Sequence, residues 1–545
     1  MNKYLNYISG LLVFSFIAIS CSLDRDPLEK FAEGTFYSSA SNTDLALTSL
    51  YRGNITNGLE FAPSDWWSYQ GMIMMEHLSD NAFDRRGMNN PLSRISNGTL
   101  DANNGVINNY WKASYTRIGY CNRFLTGMET QPDNAANRTM IAEARFLRAA
   151  MYFYMASFFK DVPLVEKNLT GEEANNVDKT PQSEILSWCV KELRAAADNL
   201  PSFAKISAAD NGRANKQAAL AFLGRTYMLM KDWSNAAKTY KEIIDLGENQ
   251  LHARYSELFY PSTGANTKEN IFFIQYKKDI FGCGLPQHGL SAKDGGWSLI
   301  NPAAELFEAY EFTNGTPFSY DNPLHNYKEP GKNRDPRLDY TIYYPGATFK
   351  GTTYVLSPDL TGKKNLGYSE EASRTGFMMR KYFEETQPID NLQSYAAVTP
   401  IVRYAEVLLS YAECVNELDQ MTQAIMNETV NKVRGRSSVN MPAKTAQSQG
   451  ANREIIRNER RVELAMEGIR YWDLMRWGIA HENLAKEIWG VQCVDAKTYE
   501  QKSRKVDPTG KKRWFVAERK FRNPQDYKWP VPQSEQNINP KLRDK

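Results

Sequence analysis

The sequence has few of the residues that form disulfide frameworks or hold metal ions. Its 545 residues include six cysteines and five histidines, with no CxxC pair and no HExxH motif. Apart from Cys21 near the N-terminus, the cysteines are odd in number and widely spaced, which predicts buried thiols instead of disulfides or a zinc site. We therefore predict no metal and no cofactor. These five cysteines are Cys121, Cys189, Cys283, Cys414 and Cys493.

Catalytic signatures and a strong charge of either sign are also missing. The sequence contains no GxSxG motif, P-loop or Rossmann fingerprint. Its 66 basic and 63 acidic residues nearly balance, and without a basic stripe or tail nucleic acid is not an implied partner. A glycoside hydrolase needs only two carboxylates placed by the fold, so the missing motifs leave that class open.

The longest apolar run is at the N-terminus. Residues 1–20 have a basic start, an apolar middle and a small Ser20, which is typical of a secretory signal peptide and short for a membrane span. Cys21 follows, where a lipoprotein signal places its acylated cysteine, although Ala18 stands where such signals usually have leucine. The abrupt change to SLDRDPLEK favours lipidation of Cys21 over an ordinary signal peptide, and several acyl chains would anchor the protein stably.

Helical hairpins are spread along the rest of the chain, which predicts one compact helical body. The clearest lies at 217–250, where small and aromatic residues follow tetratricopeptide spacing. Weaker pairs are 140–165 with 181–201, and 404–418 with 423–437. The residues that match the repeat are Leu223, Gly224, Tyr227, Trp233, Ala236 and Tyr240.

The segment 457–478, RNERRVELAMEGIRYWDLMRWG, predicts one long helix. Its inner stripe is apolar in the middle and has Glu459 and Asp473 near its ends. A buried carboxylate is costly unless it is paired, and guanidinium groups are the best partners. We interpret the segment as part of a structural ion-pair network. The alternative, a catalytic carboxylate pair, lacks an accompanying nucleophile, histidine or metal spacing. The nearby arginines are Arg453, Arg457, Arg460, Arg461, Arg470 and Arg476.

The run ERRVELAMEGIRYWDLMRWG resembles the C-terminal signature of the SusD/RagB family, outer-membrane lipoproteins that capture nutrients. FLRAAMYFYMASFFKDVPLV, RYAEVLLSYAECVNEL and YKWPVPQSEQNINPKL also resemble family segments. The resemblance implies a mainly α, SusD-like fold, in which tetratricopeptide-type helical hairpins form a right-handed scaffold with long irregular loops and a few short β-strands. The expected divisions are a signal peptide (1–20), an N-terminal region with helix pairs (21–250) and a C-terminal region with ligand loops and the last helix pair (251–545).

Two loops are candidates for a ligand site. Flat aromatic rings can stack on sugars while amides, carboxylates and guanidinium groups bond their hydroxyls, and loops on a rigid scaffold suit that task. The family resemblance points to the same loops, 80–90 and 281–302. A third stretch, 64–70, contains Trp66 and Trp67, for which packing is the expected role. The candidate ligand residues are Phe83, Asp84, Arg85 and Asn89 in the first loop and His288, Asp294 and Trp297 in the second.

Trp297 has two alternative roles. It follows two glycines that let the backbone turn, and Asn301 and Pro302 are expected to begin the next helix as its cap and first residue. The indole either presents a face to a ligand or packs onto Leu299 and Phe307 as a plug.

These observations predict a non-catalytic binding protein anchored in the outer membrane. The resemblance implies that it captures an oligosaccharide and delivers it to a TonB-dependent, SusC-like outer-membrane barrel. The alternatives are an oligopeptide-binding RagB-like protein and, less favoured, a surface glycoside hydrolase. A structural adhesin would not need the loop aromatics.

Overall fold

Helices are the main regular secondary structure. The computed structural model describes residues 36–37, 39–52, 65–354, 372–493 and 495–544, so the predicted signal peptide and Cys21 lie outside the described residues. No helix in these ranges is long and apolar enough to cross a membrane. The helices are α1 (Ala40–Arg52), α2 (Tyr69–Ile73), α3 (Gly105–Met128), α4 (Ala135–Phe158), α5 (Gly171–Ala174), α6 (Gln182–Asn199), α7 (Lys216–Met230), α8 (Trp233–Asp245), α9 (Leu285–Gly289), α10 (Ala304–Ala309), α11 (Arg337–Thr341), α12 (Tyr404–Glu417), α13 (Gln423–Glu428), α14 (Val430–Arg434), α15 (Gln449–Glu463), α16 (Arg470–Trp477), α17 (Ala480–Leu484), α18 (Ala496–Lys502) and α19 (Gln533–Ile538).

The strands are short and pair in antiparallel two-stranded ribbons. The pairs are β1 with β3, β2 with β8, β4 with β7, β5 with β6, and β9 with β10. The predicted mainly α fold with a few short strands is therefore confirmed. The strands are β1 (Ala82–Asp84), β2 (Asn270–Gln275), β3 (Ile300–Pro302), β4 (Ile342–Tyr343), β5 (Thr348–Phe349), β6 (Thr352–Thr353), β7 (Met378–Met379), β8 (Val398–Arg403), β9 (Glu487–Gln492) and β10 (Arg513–Glu518).

The predicted helical hairpin at 217–250 is formed by α7 and α8. Lys231 ends α7 in a left-handed conformation (φ 59°), and Asp232 caps α8 by accepting a hydrogen bond from the backbone of Asn235. A Cβ at Gly224 would lie 2.5 Å from the ring of Tyr240. A small residue is required at position 224 because the two helices pack closely. Close packing is also why the tetratricopeptide pattern has a small residue at this position.

Helices from both halves of the chain share one hydrophobic core. Leu220 in α7 and Leu408 in α12 both belong to it, while the division near residue 250 stays a prediction. Trp66 and Trp67 are buried in the same core, and Trp66 stacks on Tyr110 with ring centroids 4.1 Å apart. The predicted packing role of these two tryptophans is confirmed. The five cysteines after Cys21 are all free and buried, as predicted.

The segment 457–478 forms two helices, so the prediction of one long helix was wrong. Helix α15 ends at Glu463 and α16 begins at Arg470, and the backbone between them is left-handed at Met466 (φ 64°) and Gly468 (φ 76°). A Cβ at position 468 would lie 2.1 Å from the carbonyl oxygen of Met72. This close approach and the left-handed conformation both require glycine at position 468, and the left-handed backbone separates the two helices.

The predicted ion-pair network is present and is centred on Glu463. Its carboxylate accepts hydrogen bonds from Arg337 (2.9 Å), Arg403 (2.7 Å) and Arg436 (2.8 Å). Burial opposes ionisation, but the guanidinium groups of Arg436, Arg403 and Arg337 outweigh it and hold the pKa of Glu463 well below its usual range. These three arginines come from distant segments, whereas the sequence pattern had drawn attention to neighbouring ones.

Some of the neighbouring arginines form a second cluster around Asp473. Arg460 donates to its Oδ2 (3.0 Å) and Arg476 to its Oδ1 (2.7 Å), and Arg476 also binds Glu413. These side chains are buried and paired with opposite charges, so the geometry supports the structural interpretation of the segment.

Candidate functional site

The two predicted ligand loops lie side by side. Strands β1 and β3 pair with Phe83 opposite Asn301, and the backbone amide of Arg85 donates to the carbonyl of Leu299 over 3.1 Å. The sequence analysis proposed both loops as candidate ligand loops but predicted no contact between them. The β1–β3 ribbon provides that contact.

A third segment, the β9–β10 ribbon, completes a cleft against the first loop. Phe83 packs with Ile488 of β9 and Val516 of β10 in a small hydrophobic cluster. The cleft has a volume of about 810 Å³ and lies between residues 83–88 and β10. This size falls within the range of small-molecule sites, roughly 300–1,000 Å³. Its lining includes the rings of Phe83, Trp514 and Phe515 and the guanidinium groups of Arg85, Arg374 and Arg504.

The base of the first loop is held by arginines from the C-terminal signature. Arg470 donates to both oxygens of Asp80 (2.8 and 2.9 Å), and Arg461 donates to the side-chain oxygen of Asn81 (2.9 Å). Burial raises the pKa of Asp80, but Arg461 and Arg470 outweigh that effect and hold it well below its usual range. The ionised carboxylate therefore fixes the loop that carries Phe83.

Asp84 and His288 lie beneath the cleft, not in its lining. Arg86 donates to both carboxylate oxygens of buried Asp84 (3.0 and 2.6 Å), and the Nδ1 atom of His77 is 3.7 Å from the same carboxylate. Burial lowers the pKa of His77 to about 4 and that of His288 to about 3. Both imidazoles are therefore neutral at pH 7, which does not suit a general acid.

Trp297 is half-buried and does not line this cleft. Its indole stacks on His288 with ring centroids 5.5 Å apart, and it packs against the large helical core. The plug alternative expected packing on Leu299 and Phe307; Leu299 belongs to the same core, and both roles of Trp297 stay predictions. Asp294 and Asn89 are exposed outside the cleft lining, and Asp294 accepts a hydrogen bond from Ser291.

The expected helix cap at Asn301 was wrong. Asn301 and Pro302 lie in β3, and α10 begins at Ala304. The Asn301 side chain instead donates to the carbonyl of Ser298 (2.7 Å) and accepts from the backbone of Arg374 (2.8 Å). The backbone of Asn301 takes part in strand pairing. Its side-chain oxygen holds the backbone of Arg374 at the cleft.

The sequence interpretation missed Trp514, Phe515, Arg374 and Arg504 as site residues. The signal available for the tryptophan and phenylalanine was the run KKRWFVAE, in which basic and aromatic residues adjoin. It lies in 490–525, a segment already noted as long and rich in aromatics, but which of its rings face a cleft depends on the pairing with β9. Within the described residues, no group of three or more His, Cys, Asp or Glu side chains could hold a metal ion.

Comparisons with known proteins match almost the whole described chain. The SusD family model matches residues 261–544, just over half of the chain, and a model described as starch-binding and associating with the outer membrane matches residues 39–228. A SusD-like carbohydrate-binding protein from Bacteroides fragilis is 63% identical with a TM-score of 0.92, over 93% of this chain and 100% of that one. SusD-like protein P25 from Formosa agariphila is 28% identical over 87% of this chain and 90% of its own length.

More distant solved structures share the fold. Surface glycan-binding protein A from Bacteroides fluxus has a TM-score of 0.65 at 20% identity, over 92% of this chain and 97% of that one. The helical hairpins, the short ribbons and the two model matches agree with one another. The chain therefore belongs to the SusD/RagB family.

Proposed function

We propose that this protein binds an oligosaccharide in the cleft between residues 83–88 and β10. The observation that carries the proposal is the pair of partly exposed rings of Trp514 and Phe515 beside arginines, on a wall backed by the buried ring of Phe83. Such rings offer flat faces to sugars, and guanidinium groups donate to hydroxyls. The 63% identical B. fragilis protein, described as carbohydrate-binding, supports the proposal.

The proposed contacts divide the seven predicted ligand residues into three groups. Phe83 and Arg85 border the cleft. Arg85 is proposed to touch the ligand, whereas Phe83, which is 4% exposed, is proposed to back the cleft wall. Asp84 and His288 are buried behind it and are proposed to support the loop. Asn89, Asp294 and Trp297 remain predictions, because other parts of a long glycan could reach them.

The protein is proposed to act at the outer membrane, held there by a lipid on Cys21. The family description that mentions the outer membrane supports this location, and the N-terminal sequence supports the anchor. The bound glycan would then be passed to a TonB-dependent, SusC-like barrel. Replacing Cys21 with alanine should release the protein from the membrane fraction or leave it unprocessed. Membrane retention without acyl labelling would contradict the anchor.

Binding without hydrolysis is favoured by the carboxylates of the cleft. Glycosidases use a pair of carboxyl groups on either side of the scissile bond. Among the described residues that line the cleft, Glu518 is the one carboxylate, and it is paired with Lys505 over 2.9 Å. We therefore favour capture over a surface glycoside hydrolase.

The test is glycan binding by the purified protein and its Trp514→Ala variant. Trp514 is partly buried and packs against two hydrophobic clusters, so we expect a moderate fall in melting temperature, comparable to that of the control below, together with a loss of roughly 1–3 kcal/mol in glycan affinity, by analogy with base stacking. Trp188→Ala, which removes a half-exposed tryptophan outside the cleft lining, is the matched control and should bind normally. Binding of peptides from protein digests and of no glycan would favour the oligopeptide alternative, and release of reducing sugar would favour the enzyme.

A further inference from the structure

The cleft lining has more positive than negative charge. Five cationic side chains line it together with one acid. The whole chain, by contrast, has 66 basic and 63 acidic residues, so this excess is local. The charged lining residues are Arg85, Arg86, Arg374, Arg504, Lys505 and Glu518.

Two of these cations are already neutralised by the protein. Arg86 binds Asp84 through two hydrogen bonds. The Lys505 ammonium lies 2.6 Å from Glu487 and 2.9 Å from Glu518. These pairs account for two of the five cations in the lining.

Arg374 and Arg504 make no ion pair with any residue that the structure describes. The backbone of Arg374 is held by Asn301, which places this residue at the cleft. The Arg504 side chain is itself ordered, because its guanidinium donates to the carbonyl of Val516 (2.7 Å) and lies 5.5 Å from the ring centre of Phe515. An arginine ordered by the backbone and an aromatic ring loses little entropy on binding a ligand. Its remaining N–H groups match a carboxylate or a sulfate.

We propose that the cleft selects anionic oligosaccharides, with Arg374 and Arg504 binding a carboxylate or sulfate ester while the aromatic rings stack on the sugar. This inference rests on the proposed glycan binding and names its substrate class. A neutral glycan would leave the excess positive charge uncompensated, whereas an acidic sugar would pair with it where part of the surrounding water is excluded.

The test uses purified full-length protein in detergent and an array of oligosaccharides. The neutral probes are malto-, xylo- and manno-oligosaccharides, and the anionic probes are oligogalacturonides, alginate oligosaccharides and carrageenan oligosaccharides. We expect at least one anionic probe to bind about tenfold more tightly than every neutral one, with an affinity that falls as NaCl is raised. Methyl-esterified oligogalacturonides lack free carboxylates and desulfated carrageenan lacks sulfates, so weaker binding of one of them shows which group the protein binds.

Variants connect the preference to the two arginines. The double variant Arg374→Gln, Arg504→Gln should lose about tenfold or more in affinity for the anionic probe and most of its salt dependence, with an unchanged melting temperature. Arg138→Gln, which changes an exposed arginine on α4, is the control and should behave as the unchanged protein.

The outcomes separate this inference from the proposed function. If neutral probes bind as tightly as anionic ones, or alone, glycan binding stands and the anionic preference is overturned. If no oligosaccharide binds, the proposed function itself fails and takes this inference with it. A double variant that keeps full affinity for an anionic probe would remove Arg374 and Arg504 from the site.

Discussion

Two arginine-rich regions of this protein differ in how their charges are compensated. Around Glu463, each guanidinium is buried against carboxylates: Arg337 alone binds Asp335, Glu459 and Glu463 at 2.9 Å or less. In the cleft beside β10, arginines outnumber acids and two of them lack an ion-pair partner among the described residues. The comparison teaches that burial and pairing, not the number of arginines, distinguish a structural network from a ligand site.

The two regions are connected by residues 74–81, which lie between α2 and β1. Glu76 accepts a hydrogen bond from the backbone of Gly468 (2.8 Å), and Asp80 binds Arg470. The network side of this contact is held by buried ion pairs, and the cleft side carries Phe83. Variants in the network should therefore change stability, and variants in the lining should change binding.

The largest expected effect is that of Glu463→Ala. It leaves three buried guanidinium groups without a shared partner, and breaking a buried pair costs roughly 3–5 kcal/mol. We expect a loss of that size in the free energy of unfolding, measured by denaturant titration, with glycan affinity per folded molecule unchanged. Glu454→Ala, which removes an exposed glutamate from the same helix, is the control. A stable Glu463→Ala protein that no longer binds ligand would place this helix in the site.

The same network predicts a stability loss in acid. The pKa of Glu463 is depressed in the folded state by its arginines, so its ionised form stabilises the fold above its unfolded pKa of 4.5. That stability is lost as the pH falls through and below this value. Between about pH 5 and pH 3, Glu463→Gln should lose roughly 2 kcal/mol less stability than the unchanged protein. Parallel pH profiles for the two proteins would show that Glu463 titrates normally.

An effect of similar or smaller size is expected for Trp297→Ala. Because the indole is half-buried against His288, we expect a stability loss of about 2 kcal/mol, below the 3–5 kcal/mol typical of a fully buried ring. Glycan affinity should change little. Calorimetry with and without ligand separates the alternatives. An unchanged melting temperature with weakened binding would instead make Trp297 a ligand platform.

The smallest effect should come from an exposed ion pair. Lys278 lies 2.7 Å from Asp390, and both side chains are largely in water. Lys278→Ala should change the free energy of unfolding little, because water screens an exposed pair, and any effect should fade at high salt. A cost comparable to that of Glu463→Ala would mean that burial does not explain the difference between paired charges in this protein.

The sequence predicted best those features whose causes lie close together along the chain. The α7–α8 hairpin follows from the spacing of Gly224, Trp233 and Tyr240, because each helix presents a face at a fixed period. The sequence also predicted that carboxylates near Glu459 would be buried with arginines. It did not give Arg337 and Arg403 as partners, because they come from other segments.

The predictions that were wrong or missing depend on contacts between residues that are far apart in the sequence. The helix ends at Glu463, and beyond it the left-handed Gly468 lies against the carbonyl of Met72, a contact that the local pattern does not contain. Asn301 does not cap a helix because β3 pairs with β1. Trp514 joins the site because β10 pairs with β9 and faces the loop of Phe83. Local patterns cannot supply such contacts. The family resemblance pointed to loops 80–90 and 281–302, of which the first lines the cleft.

The long-range contacts of residues 79–81 also determine when the cleft can form during synthesis of the chain. Its contacts with Arg461, Arg470 and Arg519 span 380, 390 and 440 residues. Contacts of such separation form late because the intervening chain must first be brought together. A ribosome makes the loop early and its anchors several hundred residues later. A chain that stops before residue 461 has the loop but none of these three anchors, so completion of the cleft marks completion of synthesis.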